Sequence, residues 1–128
     1  MSSSKSLKVK ASDYVHLHNH THHSLLDGMT KVRQLVEKVK IMGMEAVAMT
    51  DHGTLSGAIE FYKACKEEGI KPIIGMEAYV AARKHTDKDV QKDKARFHLI
   101  ILAMNNKGYE NLMRLSTIAN LDGFYFKP

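Results

Sequence analysis

The chain predicts an α/β fold with a parallel sheet. Apolar runs alternate with amphipathic helical segments, glycines close those segments, and ligand-capable polar residues gather where the apolar runs end. Whether the sheet is doubly wound or closed into a barrel is not decided by periodicity. In both architectures, functional groups collect at the carboxyl ends of strands.

Residues 1–12 are polar and lysine-rich and read as a flexible leader, so the domain is expected over 13–128. The first strand is read over Tyr14–His20, where Val15 and Leu17 alternate with His16, His18 and His20 at a period of two. Asp27-Gly28 marks a turn. A helix over about 30–42 follows from Val32, Leu35, Val36, Val39 and Met42, and Gly43 is placed to end it. Ala46-Val47-Ala48-Met49 suits a strand buried on both faces and runs into Thr50-Asp51-His52-Gly53. The second helix, roughly 56–68, presents Ile59, Tyr62 and Cys65 and stops at Gly69.

A third strand opens at Ile70 and continues through Glu77 to Val80. Residues 83–96 carry six Lys or Arg against three Asp and read as an exposed loop, the most mobile internal segment. A fourth strand, His98–Ala103, leads to a helix with Leu112, Leu115 and Ile118. The strand-and-helix alternation implies right-handed crossovers throughout. His98 fits poorly, because it enters from the start of its strand.

The chemistry lies in the histidines. The chain has eight, and five fall within eight positions: His16, His18, His20, His22 and His23. Purification tags are usually uninterrupted, whereas these are interleaved with Leu17, Asn19 and Thr21. On a strand, His18 and His20 project from one face about 7 Å apart at the backbone, so both imidazoles can converge on one cation. With Asp27, His52, Glu77 and His98 they form a nitrogen–oxygen set suited to zinc, manganese or iron, without the thiolates of a structural zinc site. Six donors exceed the needs of one tetrahedral ion, so two or more divalent ions are expected. Glu77, late in an apolar strand, needs a partner.

Other residues have plainer readings. His16 is a surface or core residue, His22 and His23 belong to a loop, and Thr21 and Ser24 are turn or capping residues. Asp51 either caps the next helix or holds a ligand histidine from behind. Cys65, the single cysteine, excludes an internal disulfide and is read as a small apolar helix residue in a reducing cytoplasm. No apolar run approaches the roughly 18 residues of a membrane span. The net charge of +5 is compatible with a nucleic-acid partner and does not establish one.

His18-Asn19-His20-Thr21 with Ser24-Leu25-Leu26-Asp27-Gly28 resembles the first motif of the polymerase-and-histidinol-phosphatase (PHP) family. Thr50-Asp51-His52-Gly53 resembles the second, Gly75-Met76-Glu77 the third, and His98 with the strand behind it the fourth. Gly57–Ala64, Gly69–Gly75 and Gly123–Pro128 are similar to the branch found in alpha subunits of bacterial DNA polymerase III. The likeness runs from about Tyr14 to the last residue.

The resemblance implies a distorted TIM-like barrel of seven strands, of which this α/β chain holds about the first four units. It implies a trinuclear centre of Zn²⁺ or Mn²⁺, with ligand roles for His18, His20, Asp27, His52, Glu77 and His98. Asp51, His52 and Glu77 are the candidate catalytic residues of a phosphodiester hydrolase, with 3′–5′ exonuclease activity as its expected form. It further implies DNA as partner through a parent polymerase, other replisome subunits, and no membrane. A scaffold that braces the polymerase and a free-standing PHP phosphoesterase are the competing readings. Further ligands are expected downstream, so this chain is read as a truncated domain, nearly inactive alone. Its open strand edge favours self-association.

Overall fold

The structure is a computed structural model that describes residues 9–128. Residues 1–8 of the expected leader lie outside the described residues, and Ala11–Asp13 forms a single 3₁₀ turn. Helix α1 spans Val32–Ile41, strand β1 Ala46–Met49, helix α2 Ala58–Glu68, strand β2 Lys71–Ala81, strand β3 Arg96–Leu102 and helix α3 Asn106–Leu121. The fold is mixed α/β around one three-stranded sheet of order β1-β2-β3.

Helix α1 buries Val32, Val36 and Val39, which recur at the helical spacing. It ends as the glycine predicts. Gly43, at φ 72°, donates to the Lys40 carbonyl, and the next amide, Met44, reaches back to Val39. Gly69 ends α2 in the same way at φ 71°, with the Ile70 amide on the Cys65 carbonyl. Both helices pack on each other and on β1 and β2, around Val47, Met49, Phe61, Ala64 and Cys65. Each large apolar side chain removed from water here contributes about 1.5–3 kcal/mol. β1 is buried along its whole length, as an apolar run covered on both faces must be.

Four expectations are corrected. First, Tyr14–His20 is not a full strand. It lies extended beside β1 through an isolated His16–Val47 bridge, with the Ala48 amide on the His16 carbonyl and the Thr50 amide on the Asn19 carbonyl. Asn19 takes over part of the ladder. Its side-chain amide donates to the carbonyls of His16 and Ala48, at 3.1 and 3.0 Å.

Second, the buried face of α2 is Ala58, Phe61, Ala64 and Cys65, not Ile59 and Tyr62, which are 60% and 48% exposed. Phe61 is the largest apolar side chain on the helix and claims the core. Ile59 and Tyr62 instead line an open groove with Pro72, Ile74, Met104 and Tyr109.

Third, the sheet is not all parallel. β1 and β2 are parallel, with Ala46 opposite Lys71 and Met49 opposite Ile74, but β3 runs antiparallel to β2, from Gly75–Leu102 to Ala81–Arg96. No helix separates β2 from β3, so nothing carries the chain back for a parallel pairing. The joining loop is mostly exposed; within it Arg83 donates through Nε and Nη2 to Asp93 at 2.8 and 2.6 Å, and Asp93 also accepts from the Asp89 amide at 2.7 Å.

Fourth, of the apolar face expected on α3, Leu112 is buried, but Leu115 and Ile118 stay 45% and 43% exposed.

Candidate metal centre

Glu77 organises the site. Its backbone is fixed in β2, flanked by the Gly53 amide on its carbonyl and by its own amide on the Asp51 carbonyl. Its carboxylate is almost wholly buried, and four imidazoles surround it. Oε2 lies 2.5 Å from His18 Nε2 and 3.2 Å from His20 Nε2; Oε1 lies 2.8 Å from His98 Nδ1 and 4.0 Å from His52 Nε2. Burial alone would raise the Glu77 carboxyl, but the His18 hydrogen bond and the charges of His52, His20 and His98 outweigh it and hold it below its ordinary range.

The histidines arrive from three directions. His18 and His20 stand on the extended segment beside β1, with their Nε2 atoms 2.9 Å apart. His52 follows β1 and packs edge-on to His20, ring centres 4.0 Å apart. His98 comes from β3, opposite Tyr79 and diagonal to Glu77. Antiparallel pairing thus removes the difficulty noted for His98, since the start of β3 lies beside the end of β2. Asp27 sits at the margin, 3.4 Å from His52 Nδ1 and about half exposed.

Asp51 is fully buried and does not cap α2. It accepts from the Thr21 amide at 2.5 Å, the Thr21 hydroxyl at 2.8 Å and the Ser24 hydroxyl at 2.7 Å. Ser24 Oγ in turn accepts from the His52 amide at 3.1 Å. Thr21 and Ser24, read from the sequence as turn residues, are therefore buried clamps that join the His20 segment to the His52 loop. The turn they begin carries Leu26 at φ 69°, a conformation costly for a residue with a side chain, and Gly28 presses on Thr21 where no Cβ would fit.

Tyr79 escaped the sequence reading. Its hydroxyl lies 3.1 Å from His52 Nδ1 and accepts from Lys127 Nζ at 3.0 Å. The available signal was its position two residues after Glu77, hence on the same face of β2.

Three donor atoms from His18, His20 and Glu77 lie within 4.8 Å of one another, as a shared cation requires. His20 Nδ1 is buried and has no hydrogen-bond partner among the described residues, and burial, with His52 nearby, lowers the pKa of its ring. Imidazole nitrogens around an ionised carboxylate fit a first-row divalent ion.

Residues 16–128 match the PHP domain model, and the chain belongs to that family. It is 52% identical over 124 residues to the DNA polymerase III subunit alpha of Aquifex aeolicus, and 53% identical over 117 residues to that of Helicobacter pylori strain 26695. These alignments cover 92% and 90% of this chain but only 11% and 9% of the two relatives. Among solved structures it is similar to a chain from Bifidobacterium adolescentis described as a metal-dependent phosphoesterase, with 23% identity, TM-score 0.50, and coverage of 78% of this chain and 31% of the other. An amidohydrolase from Chromobacterium violaceum gives 21% identity, TM-score 0.60, and coverage of 83% and 33%. The likeness to these two structures is one of fold.

Proposed function

We propose that this chain is the metal-holding part of the PHP domain of a bacterial replicative polymerase alpha subunit, and that the domain hydrolyses phosphodiester bonds. The observation that carries this reading is the buried Glu77 carboxylate ringed by His18, His20, His52 and His98. A buried carboxylate with four imidazoles on it is costly as a core feature and serviceable as a cation site. His18, His20, Glu77, His98, His52 and Asp27 would hold Zn²⁺ or Mn²⁺, two or three ions in the complete domain. Bound there, such ions supply Lewis acidity toward water and phosphoryl oxygens.

The protein's own share is positioning. Asp51, through Thr21 and Ser24, fixes the segment between His20 and His52. Tyr79 orients the His52 ring. The sheet would form part of a larger TIM-like barrel, of which 13–128 is the opening portion, and DNA and replisome partners would reach it through the polymerase. The near 50% identity to alpha subunits favours this over a free-standing phosphoesterase. A bracing role has one observation of its own: Glu77 joins three separate segments, so ions at this point would tie the fold together.

The test is metal content of the purified chain by elemental analysis, beside a His18→Ala, His20→Ala variant. The parent is expected to take up zinc or manganese, and the variant to hold fewer ions than the parent. Equal uptake by both would overturn the assignment.

A further inference from the structure

We propose that His22, His23 and Glu60 form a second cation site, separate from the Glu77 cluster, for a divalent first-row transition ion such as Zn²⁺. One donor atom from each of the three lies within 4.8 Å of the others. His23 Nε2 is 2.9 Å from Glu60 Oε2, and the His22 and His23 rings have centres 4.3 Å apart. Ligand atoms around a tetrahedral zinc, with bonds of about 2.0–2.2 Å, stand roughly 3.3 Å apart, so little movement is needed to close the set.

The backbone under these residues is already fixed. The His22 amide donates to the Thr30 carbonyl at 2.9 Å, and the His23 amide donates to Thr21 Oγ1 at 3.2 Å, itself bound to Asp51. Glu60 stands in the first turn of α2. The His23 ring rests on Gly57, where an added Cβ would come within 2.5 Å of its Cδ2, so the missing side chain makes the seat for the ring. Ser56 Oγ, 3.5 Å from His23 Nδ1, faces the nitrogen turned away from Glu60, the place of a group that orients a ligand histidine.

Two imidazoles and one carboxylate give a borderline nitrogen–oxygen set that prefers zinc-like ions to calcium or magnesium. Glu60 is about half exposed and His22 is exposed, so water would complete the coordination. His23 also lines a cleft of about 310 Å³ with Asp27 and His52, so one member of this set and two of the first border the same cleft.

The experiment titrates the purified chain with Zn²⁺ against a chromophoric chelator and measures metal content after dialysis. Glu60→Gln and His23→Ala are compared with the His18→Ala, His20→Ala variant. The first two should each bind one zinc fewer than the parent, and the third should keep the ion that they lose. Glu60→Gln is nearly isosteric, so its loss of zinc with an unchanged melting temperature in chelator cannot be misfolding. Zinc stoichiometry in Glu60→Gln equal to that of the parent would overturn the proposal. So would complete loss of zinc in the His18→Ala, His20→Ala variant, which would leave the Glu77 cluster as the one binding site.

Discussion

His98 Nδ1 lies 2.8 Å from Glu77 Oε1 because β3 runs antiparallel to β2, with His98 paired to Tyr79, two residues beyond the glutamate. The contact depends on how closely the two strands approach. At Gly75 the two strands leave no room for a side chain: a Cβ there would meet the Ile101 carbonyl oxygen and a Leu102 methyl, both at 2.6 Å.

Gly75→Ala should therefore push the base of β2 from β3. Overpacking of this kind costs about 1–3 kcal/mol. If the strands shift together, His98 moves relative to Glu77 and metal affinity falls as well. Urea unfolding and metal titration on the same variant check both parts. A stability loss with unchanged metal affinity would mean that the strain is absorbed before it reaches Glu77.

Asp51→Ala should be among the most destabilising substitutions near the site. It strands the Thr21 amide and the Thr21 and Ser24 hydroxyls, each buried and each donating to the carboxylate. Since each unsatisfied buried group costs about 1–3 kcal/mol, the total should be on the order of 3 kcal/mol or more. The urea midpoint measures it. An Asp51→Ala variant as stable as the parent would show that the clamp is dispensable.

Much of this arrangement was legible in the sequence, and what was not has physical causes. The helices α1 and α2 and the strand β1 announced themselves because periodicity and capping glycines are local signals. Glu77 stood out because an isolated carboxylate in an apolar strand needs a partner, and His18 and His20 because of their spacing. Strand direction was not local. The absence of a helical pattern between Val80 and Arg96 was the available evidence for an antiparallel β3. The roles of Thr21 and Ser24 were hidden because they depend on Asp51, some 30 residues away, and a hydroxyl looks alike in a turn and in a buried clamp.

The pH dependence follows from His20. Its folded pKa is lowered from 6.5, first by burial and then by His52. Between that lowered value and 6.5 the unfolded chain holds a proton that the folded chain does not, so stability should decline as pH falls below 6.5 and level off once the folded ring protonates. A ligand imidazole must be deprotonated, so the same lowering means that protons compete less with a cation for the His20 ring. Unfolding and metal titrations at a series of pH values from 7.5 to about 5 test it. Stability that does not decline as pH falls below 6.5 would count against a lowered His20 pKa.

The last prediction concerns activity and rests on the proposed function. Phosphodiester hydrolysis needs stabilised charge on phosphoryl oxygens and an activated water, and a cation cluster supplies both. Glu77 touches four histidines at once, so its loss should disorganise the whole set, whereas loss of His52 removes one arm and its link to Tyr79. In the full-length polymerase subunit, Glu77→Ala and His52→Ala should each reduce 3′-end trimming of single-stranded DNA by at least about 100-fold, the scale on which a single electrostatic catalytic contact is lost. Polymerisation should be spared, because these residues form no part of nucleotide addition in this reading. Primer extension and end-trimming assays on the same preparations separate the outcomes. Trimming that survives both substitutions would assign the nuclease elsewhere and leave this domain as a brace. Loss of both activities together, with a lowered melting temperature, would show that the ions hold the subunit together and do not act on DNA.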